Sequence, residues 1–120
     1  MVKRIVVAGC RDYYNYEEAR EYIDFCINRI KNEYELIFIS GDCRGTDQLG
    51  ERYAIEHGYA VEHYPADWKK YGRAAGPKRN EKMAEVADYV ICFWDGKSRG
   101  TGSMIKYAER YGKELKVKYI

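Results

Sequence analysis

Apolar residues along this chain follow two alternating patterns. Short runs rich in β-branched and aromatic residues stand at Arg4–Ala8, Leu36–Ser40, Tyr59–Tyr64, Tyr89–Trp94 and Leu115–Ile120. Such runs, bounded by turn residues, read as strands of a parallel sheet buried on both faces. Gly9, Gly41 and Pro65 close the first three, and Asp95 follows the fourth. Between the runs, apolar positions recur at helical spacing: Ala19, Ile23, Cys26, Ile27 and Ile30, then Leu49, Tyr53 and Ala54, then Met104, Ile105 and Ala108.

The boundaries of these helices follow from capping chemistry. Asn15 reads as an N-cap with Glu18 three residues on, and the first helix extends to about Asn32. The second starts at Thr46 or Asp47, either of which can cap it, and runs to His57, where Gly58 stops it. Ala66–Pro77 contains Gly72 and Gly76 and reads as a loop with room for one helical turn. Pro77 is suited to open the next helix, which runs to Val86 or Ala87. Asp95–Gly102 reads as a polar, glycine-rich loop, Ser103–Tyr111 as the last helix, and Gly112 as its stop.

The resulting order, β-α-β-α-β-α-β-α-β, predicts an α/β fold: a Rossmann-like three-layer α/β/α arrangement with a parallel sheet of about five strands. No linker, repeat or low-complexity stretch divides residues 1–120, which predicts a single domain.

Composition narrows the function classes. The 120 residues are 46% hydrophobic and 33% charged, enough for one core without metal or disulfide staples. A formal net charge of +2 argues against nucleic acid as a partner. Positive charge is concentrated locally, in Lys69, Lys70, Arg73, Lys78, Arg79 and Lys82 with Glu81 the one acid among them. This cluster suits a small anion or is a solvated helix face. The four cysteines form no CxxC pair and there are two histidines, so zinc spacing is absent and no metal is expected. Cys26 and Cys92 fall in apolar patterns; Cys10 and Cys43 sit beside glycines, as small loop fillers or as reactive thiols. The apolar run Ile5–Ala8 ends at Gly9, too short for a leader or a membrane span, and a reducing, cytoplasmic location is expected.

Ligands of open α/β sheets bind outside the carboxyl ends of the strands. Four segments of unusual composition belong there or just before a helix. Gly9-Cys10-Arg11-Asp12 follows the first strand, with Gly9 permitting close backbone approach and Arg11 a forked donor for phosphate. Ser40-Gly41-Asp42-Cys43-Arg44-Gly45-Thr46-Asp47 sets two glycines and Arg44 ahead of a helix N-terminus. Gly76-Pro77-Lys78-Arg79-Asn80 places Arg79 and Asn80 within reach of a phosphate or sugar. Asp95–Ser103 carries Gly100, Thr101, Gly102 and Ser103 before the last helix, a composition fit for phosphate capture. Neither GxxxxGK[ST] nor a GxGxxG after the first strand is present, so the fingerprints of ordinary ATPases and dehydrogenases are missing.

Taken together, and over nearly the whole chain, these motifs resemble the SLOG superfamily (the Smf/DprA and LOG group), in its small single-domain YspA-like branch. The resemblance rests on Gly9–Asp12, Ser40–Asp47, Ala75–Asn80 and the Gly100-Thr101 element. It implies a Rossmann-like fold, a nucleotide or nucleotide-derived phosphate ligand that is sensed or processed, and a homodimer; no cofactor beyond such a ligand is implied. The LOG phosphoribohydrolases, which cleave an N-glycosidic bond, are similar at Arg79 and at Gly100-Thr101. Their Gly-Thr-x-x-Glu glutamate falls here on Met104, which cannot act as base or nucleophile. A hydrolase would then need Asp47 or Asp95 for its carboxylate, with Asp47 and Arg79 as the catalytic pair. A third implication, by analogy with DprA, is single-stranded DNA binding. Tyr13 or Trp94 could stack on a base, although core packing is the more ordinary role for Trp94. Thirteen tyrosines leave a surplus for the surface, which also points to self-association.

Overall fold

The computed structural model describes residues Met1–Ile120. Five strands form one parallel sheet: β1 (Val2–Gly9), β2 (Glu35–Ser40), β3 (Ala60–His63), β4 (Tyr89–Trp94) and β5 (Glu114–Tyr119), in the spatial order β3-β2-β1-β4-β5. The helices are α1 (Tyr16–Ile27), α2 (Thr46–Glu56), α3 (Trp68–Tyr71), α4 (Ala75–Val86) and α5 (Arg99–Arg110). The α/β, Rossmann-like expectation is met.

Alternation along the central strands explains the three layers. Ile5 and Val7 of β1, with Phe38, Ile91 and Phe93, face one side and pack against Ala19, Ile23 and Ile27 of α1 and Leu49, Tyr53 and Ala54 of α2. Val6 and Ala8, with Ile39, Val90 and Cys92, face the other side and pack against Met83 and Ala84 of α4 and Met104 and Ala108 of α5. Each face therefore has its own apolar core, and β1 and β4 separate them. Gly50 lets α2 close on β1, since a Cβ there would meet Val7 Cβ at 2.7 Å. No helix is long and apolar enough to cross a membrane.

Three boundaries differ from the sequence expectation. The first helix stops at Ile27, not Asn32: residues 28–33 form turns in which Ile30 and Glu33 donate three residues back, tightening the chain so that β2 can begin at Glu35. Ala66–Pro77 is mostly helical. Asp67 caps α3 by accepting from Lys70 N at 3.1 Å, a 3₁₀ turn covers Gly72–Ala74, and α4 starts at Ala75, two residues ahead of Pro77. Pro77 is tolerated there because first-turn N–H groups have no helical acceptor to lose. The last helix begins at Arg99 rather than Ser103, so Gly100, Thr101, Gly102 and Ser103 lie in its opening turns and not in a loop. Asp95 makes this early start possible: one carboxylate oxygen accepts from Lys97 N and Ser98 N, both at 2.8 Å, and turns the chain directly into the helix.

Candidate functional site

Strand order reverses direction between β1 and β4. From β1 the chain passes to α1 on one face, and from β4 to α5 on the other, so the connections diverge and leave a crevice at the carboxyl edge. A cavity of about 750 Å³ occupies this place. Small-ligand sites fall in the range of roughly 300–1,000 Å³. Nine residues singled out in the sequence line it: Gly9, Arg11, Arg44, Asp47, Arg79, Asn80, Gly100, Thr101 and Ser103.

The other four candidates are used in packing instead. Thr46 is fully buried, and its hydroxyl donates to Cys10 O at 2.9 Å, beside the Thr46 N–H bond to the same carbonyl at 3.2 Å. The start of α2 is thereby sealed against the β1–α1 connection rather than open to an anion. Gly45 stands at φ 75°, and a Cβ there would run into the Arg11 and Cys10 backbone. Gly41 lies between Arg79 and Asp47: a Cβ would come within 2.8 Å of the Arg79 guanidinium and 3.0 Å of the Asp47 carboxylate. Gly102 rests against the Trp94 ring.

Asp47 is 6% exposed. Its Oδ2 accepts from Cys43 N at 3.2 Å. Burial pushes this carboxyl up to about 6, against the opposing pull of the Cys43 N–H and the Arg79 charge. Asp95, by contrast, is held below the ordinary carboxylate range, first by the Ser98 N–H and then by that of Lys97. Of the two carboxylates considered for proton transfer, Asp47 has a pKa near neutrality, and Asp95 is committed to its turn.

Arg79 has its donors engaged. Nε donates to Asn80 Oδ1 at 3.0 Å, Nη1 to Gly41 O, and Nη2 reaches Cys43 Sγ at 3.4 Å. It ties α4 to the β2–α2 loop. Arg11, Arg44 and Arg99 line the same cavity, are exposed, and make no ion pair or side-chain hydrogen bond. Beside Arg99 the first bond of α5 is Gly102 N to Ser98 O at 3.0 Å, which leaves the N–H groups of the preceding turn without a helical acceptor.

The aromatic candidates are redistributed. Tyr13 stacks on Phe93 at 5.3 Å between centroids and its hydroxyl donates to Glu18 at 2.5 Å. Trp94 packs on Tyr119 and its indole N–H donates to Ser98 O at 3.0 Å. Neither lines the cavity; Trp68 does, at 55% exposure. Sequence reasoning missed Trp68 because it lay in a stretch read as loop, and missed Arg99 because its glycine neighbours drew the argument. Met104 is 1% exposed and forms part of the cavity floor, so the position of the LOG-type glutamate is apolar and packed.

Away from the cavity, Asp42, Glu51 and His63 bring one ligand-type atom each within 4.8 Å of the others. They are mutually occupied or locally paired: His63 Nδ1 lies 2.5 Å from Asp42 Oδ1, and Ser40 Oγ donates to Glu51 at 2.6 Å. All four cysteines are free thiols, and Cys10, Cys26 and Cys92 are buried.

The model of the YAcAr family, described as YspA, cpYpsA-related SLOG, matches residues 3–71. The chain belongs to this SLOG family. The matched span carries the loops after β1 and β2, while α4 and α5 lie beyond it. Among relatives, the Gene 61 protein of Mycobacterium phage D29 is 28% identical over 117 residues, covering 92% of each chain. Among solved structures, DNA processing protein A (DprA) from Streptococcus pneumoniae is similar with a TM-score of 0.72 at 18% identity. That similarity covers 98% of this SLOG chain and 50% of DprA, and it concerns the fold.

Proposed function

We propose that this SLOG domain binds a nucleotide or nucleotide-derived phosphate ligand in the cavity at the β1/β4 switch point. The observation that carries the reading is the set of unpaired arginines, Arg11, Arg44 and Arg99, lining one cavity with the open first turn of α5. Arginine presents a fork of donors that matches phosphate oxygens, and helix N–H groups add further donors and a favourable dipole. Asn80 is placed to contact a sugar: its amide reaches Gly100 O at only 3.4 Å, a weak bond that a ligand can replace. In this reading Arg79, Gly41, Gly45 and Thr46 hold the loops in position, and Gly100, Thr101 and Ser103 form the phosphate wall. The homodimer belongs to the same proposal; Phe25 and Ile55, exposed on α1 and α2, are apolar side chains that such a contact would bury.

A thermal-shift screen against nucleotides, nucleotide sugars, NAD and ADP-ribose tests the binding. A ligand at 100 times its Kd contributes about 2.7 kcal/mol to the folded state and raises the midpoint. The shift is expected for one phosphate-bearing class and is expected to shrink in both Arg11→Ala and Arg99→Ala. Absence of a shift at millimolar ligand rejects the reading.

The second reading is hydrolysis of an N-glycosidic bond, favoured by Asp47, a cavity carboxyl with a pKa of about 6. A general acid or base works best when its pKa lies near the operating pH. Release of free base from nucleoside monophosphates, abolished in Asp47→Asn, is its signature; binding without turnover leaves the first reading alone.

A further inference from the structure

Trp68 is the one large aromatic side chain on the cavity wall, and it is more than half exposed. It has no stacked aromatic partner, no cation over its face and no acceptor for its indole N–H. Trp94, the other tryptophan, is packed and hydrogen bonded. An exposed tryptophan costs apolar hydration, which a ligand that covers it recovers. Trp68 is also held in place: Asp67 caps its short helix, and the far edge of its ring lies 3.6 Å from where a Cβ on Gly76 would project. At that distance the ring edge and the Gly76 position are in ordinary van der Waals reach.

Its position relative to the phosphate wall is defined by α4. Gly76, under Trp68, precedes Asn80, which touches Gly100 of α5. Four residues of helix span about 6 Å. Because α4 starts at the carboxyl edge and runs back along the sheet, Gly76 lies further out than Asn80. Trp68 and the basic, amide-rich walls thus face one cavity, with Gly76 and Asn80 about one helical turn apart. A flat ring, a sugar and a phosphate in that order fit this arrangement.

We propose that Trp68 is the base-stacking platform of the site, so that its ligand class is a base-bearing nucleotide and not a bare sugar phosphate. This rests on the phosphate-binding reading above. Stacking on an indole face reads the presence of a ring more than the hydrogen-bonding edges, so adenine and guanine nucleotides bind alike.

Isothermal titration of AMP and ribose 5-phosphate into the full chain, as wild type, Trp68→Phe and Trp68→Ala, tests it. AMP is expected to bind more tightly than ribose 5-phosphate. Trp68→Ala is expected to weaken AMP by about 5- to 100-fold while ribose 5-phosphate affinity is unchanged, and Trp68→Phe is expected to retain most of the AMP affinity. Equal losses for both ligands, or no loss for AMP, overturn the stacking role and leave the phosphate site standing. No binding of either ligand to wild type overturns the platform, since a site that takes a base, a sugar and a phosphate in this order must hold AMP; the phosphate-binding reading is decided separately by the thermal-shift screen.

Discussion

Asp47 shows how one residue couples stability to the site. In the unfolded chain its carboxyl titrates near the ordinary value of 3.8, and in the fold it is pushed up to about 6 because burial disfavours the charge. Between these values the folded protein holds a proton that the unfolded chain has released. The stability from this group is therefore fully present below about pH 4 and is lost as pH rises through 6. The loss is roughly 2–3 kcal/mol. Asp47→Asn removes this titration. Denaturant unfolding from pH 4 to 7 is expected to show wild type losing that amount relative to the variant; a pH-independent difference would refute the linkage. The candidate status of Asp47 was readable from its place beside Gly45 and Thr46. Its burial was not, because the side chains that enclose it come from α4 and from the loop after β2.

At the scale of elements, the cap of α1 was legible, whereas that of α2 was not: neither Thr46 nor Asp47 caps it, because Gly45 is its N-cap and those side chains bond to Cys10 O and Cys43 N instead. Asn15 Oδ1 accepts from Glu18 N at 3.2 Å, as the spacing required. Asn15→Ala is expected to cost about 1 kcal/mol in chemical denaturation, with little effect on ligand binding, since Asn15 does not line the cavity. α5 was misjudged at its start for a physical reason. Glycine is a poor helix former on average, but a first turn braced by Asp95 and by the 3.2 Å Ser98–Thr101 hydroxyl contact needs little intrinsic propensity. The same holds before α4, where a run with two glycines and a proline folds as helix once Asp67 and the packing of Ala75 and Met83 are supplied.

For the whole molecule, β4 is the strand on which both cores and the site depend. Ile91 is fully buried in the core shared with α1 and α2, and Val90 and Cys92 point into the core shared with α4 and α5. Ile91→Ala is expected to destabilise the fold by about 2–5 kcal/mol. A single cooperative transition, followed by circular dichroism and by tryptophan fluorescence together, is expected to move as one. Separate transitions for the two probes would show that the layers unfold independently.

The sequence by itself determined the element order, the parallel buried sheet and the family. Those are set by local periodicity, β-branched runs and turn residues, which need no knowledge of distant parts of the chain. Nine of the thirteen proposed site residues line the cavity, since the loops after parallel strands and the opening turns of the helices that follow gather at one edge. What the tertiary structure decided is the division of labour among them. Arg79 was a candidate catalyst through the LOG resemblance, yet its donors close on Gly41, Cys43 and Asn80. Thr46 was a candidate phosphate ligand, yet it seals α2 to Cys10. Trp68 and Arg99 came forward because their partners elsewhere in the chain are missing. Whether a polar or aromatic group is free for a ligand depends on which long-range contacts satisfy it, and only the folded arrangement of the strands and helices fixes those contacts.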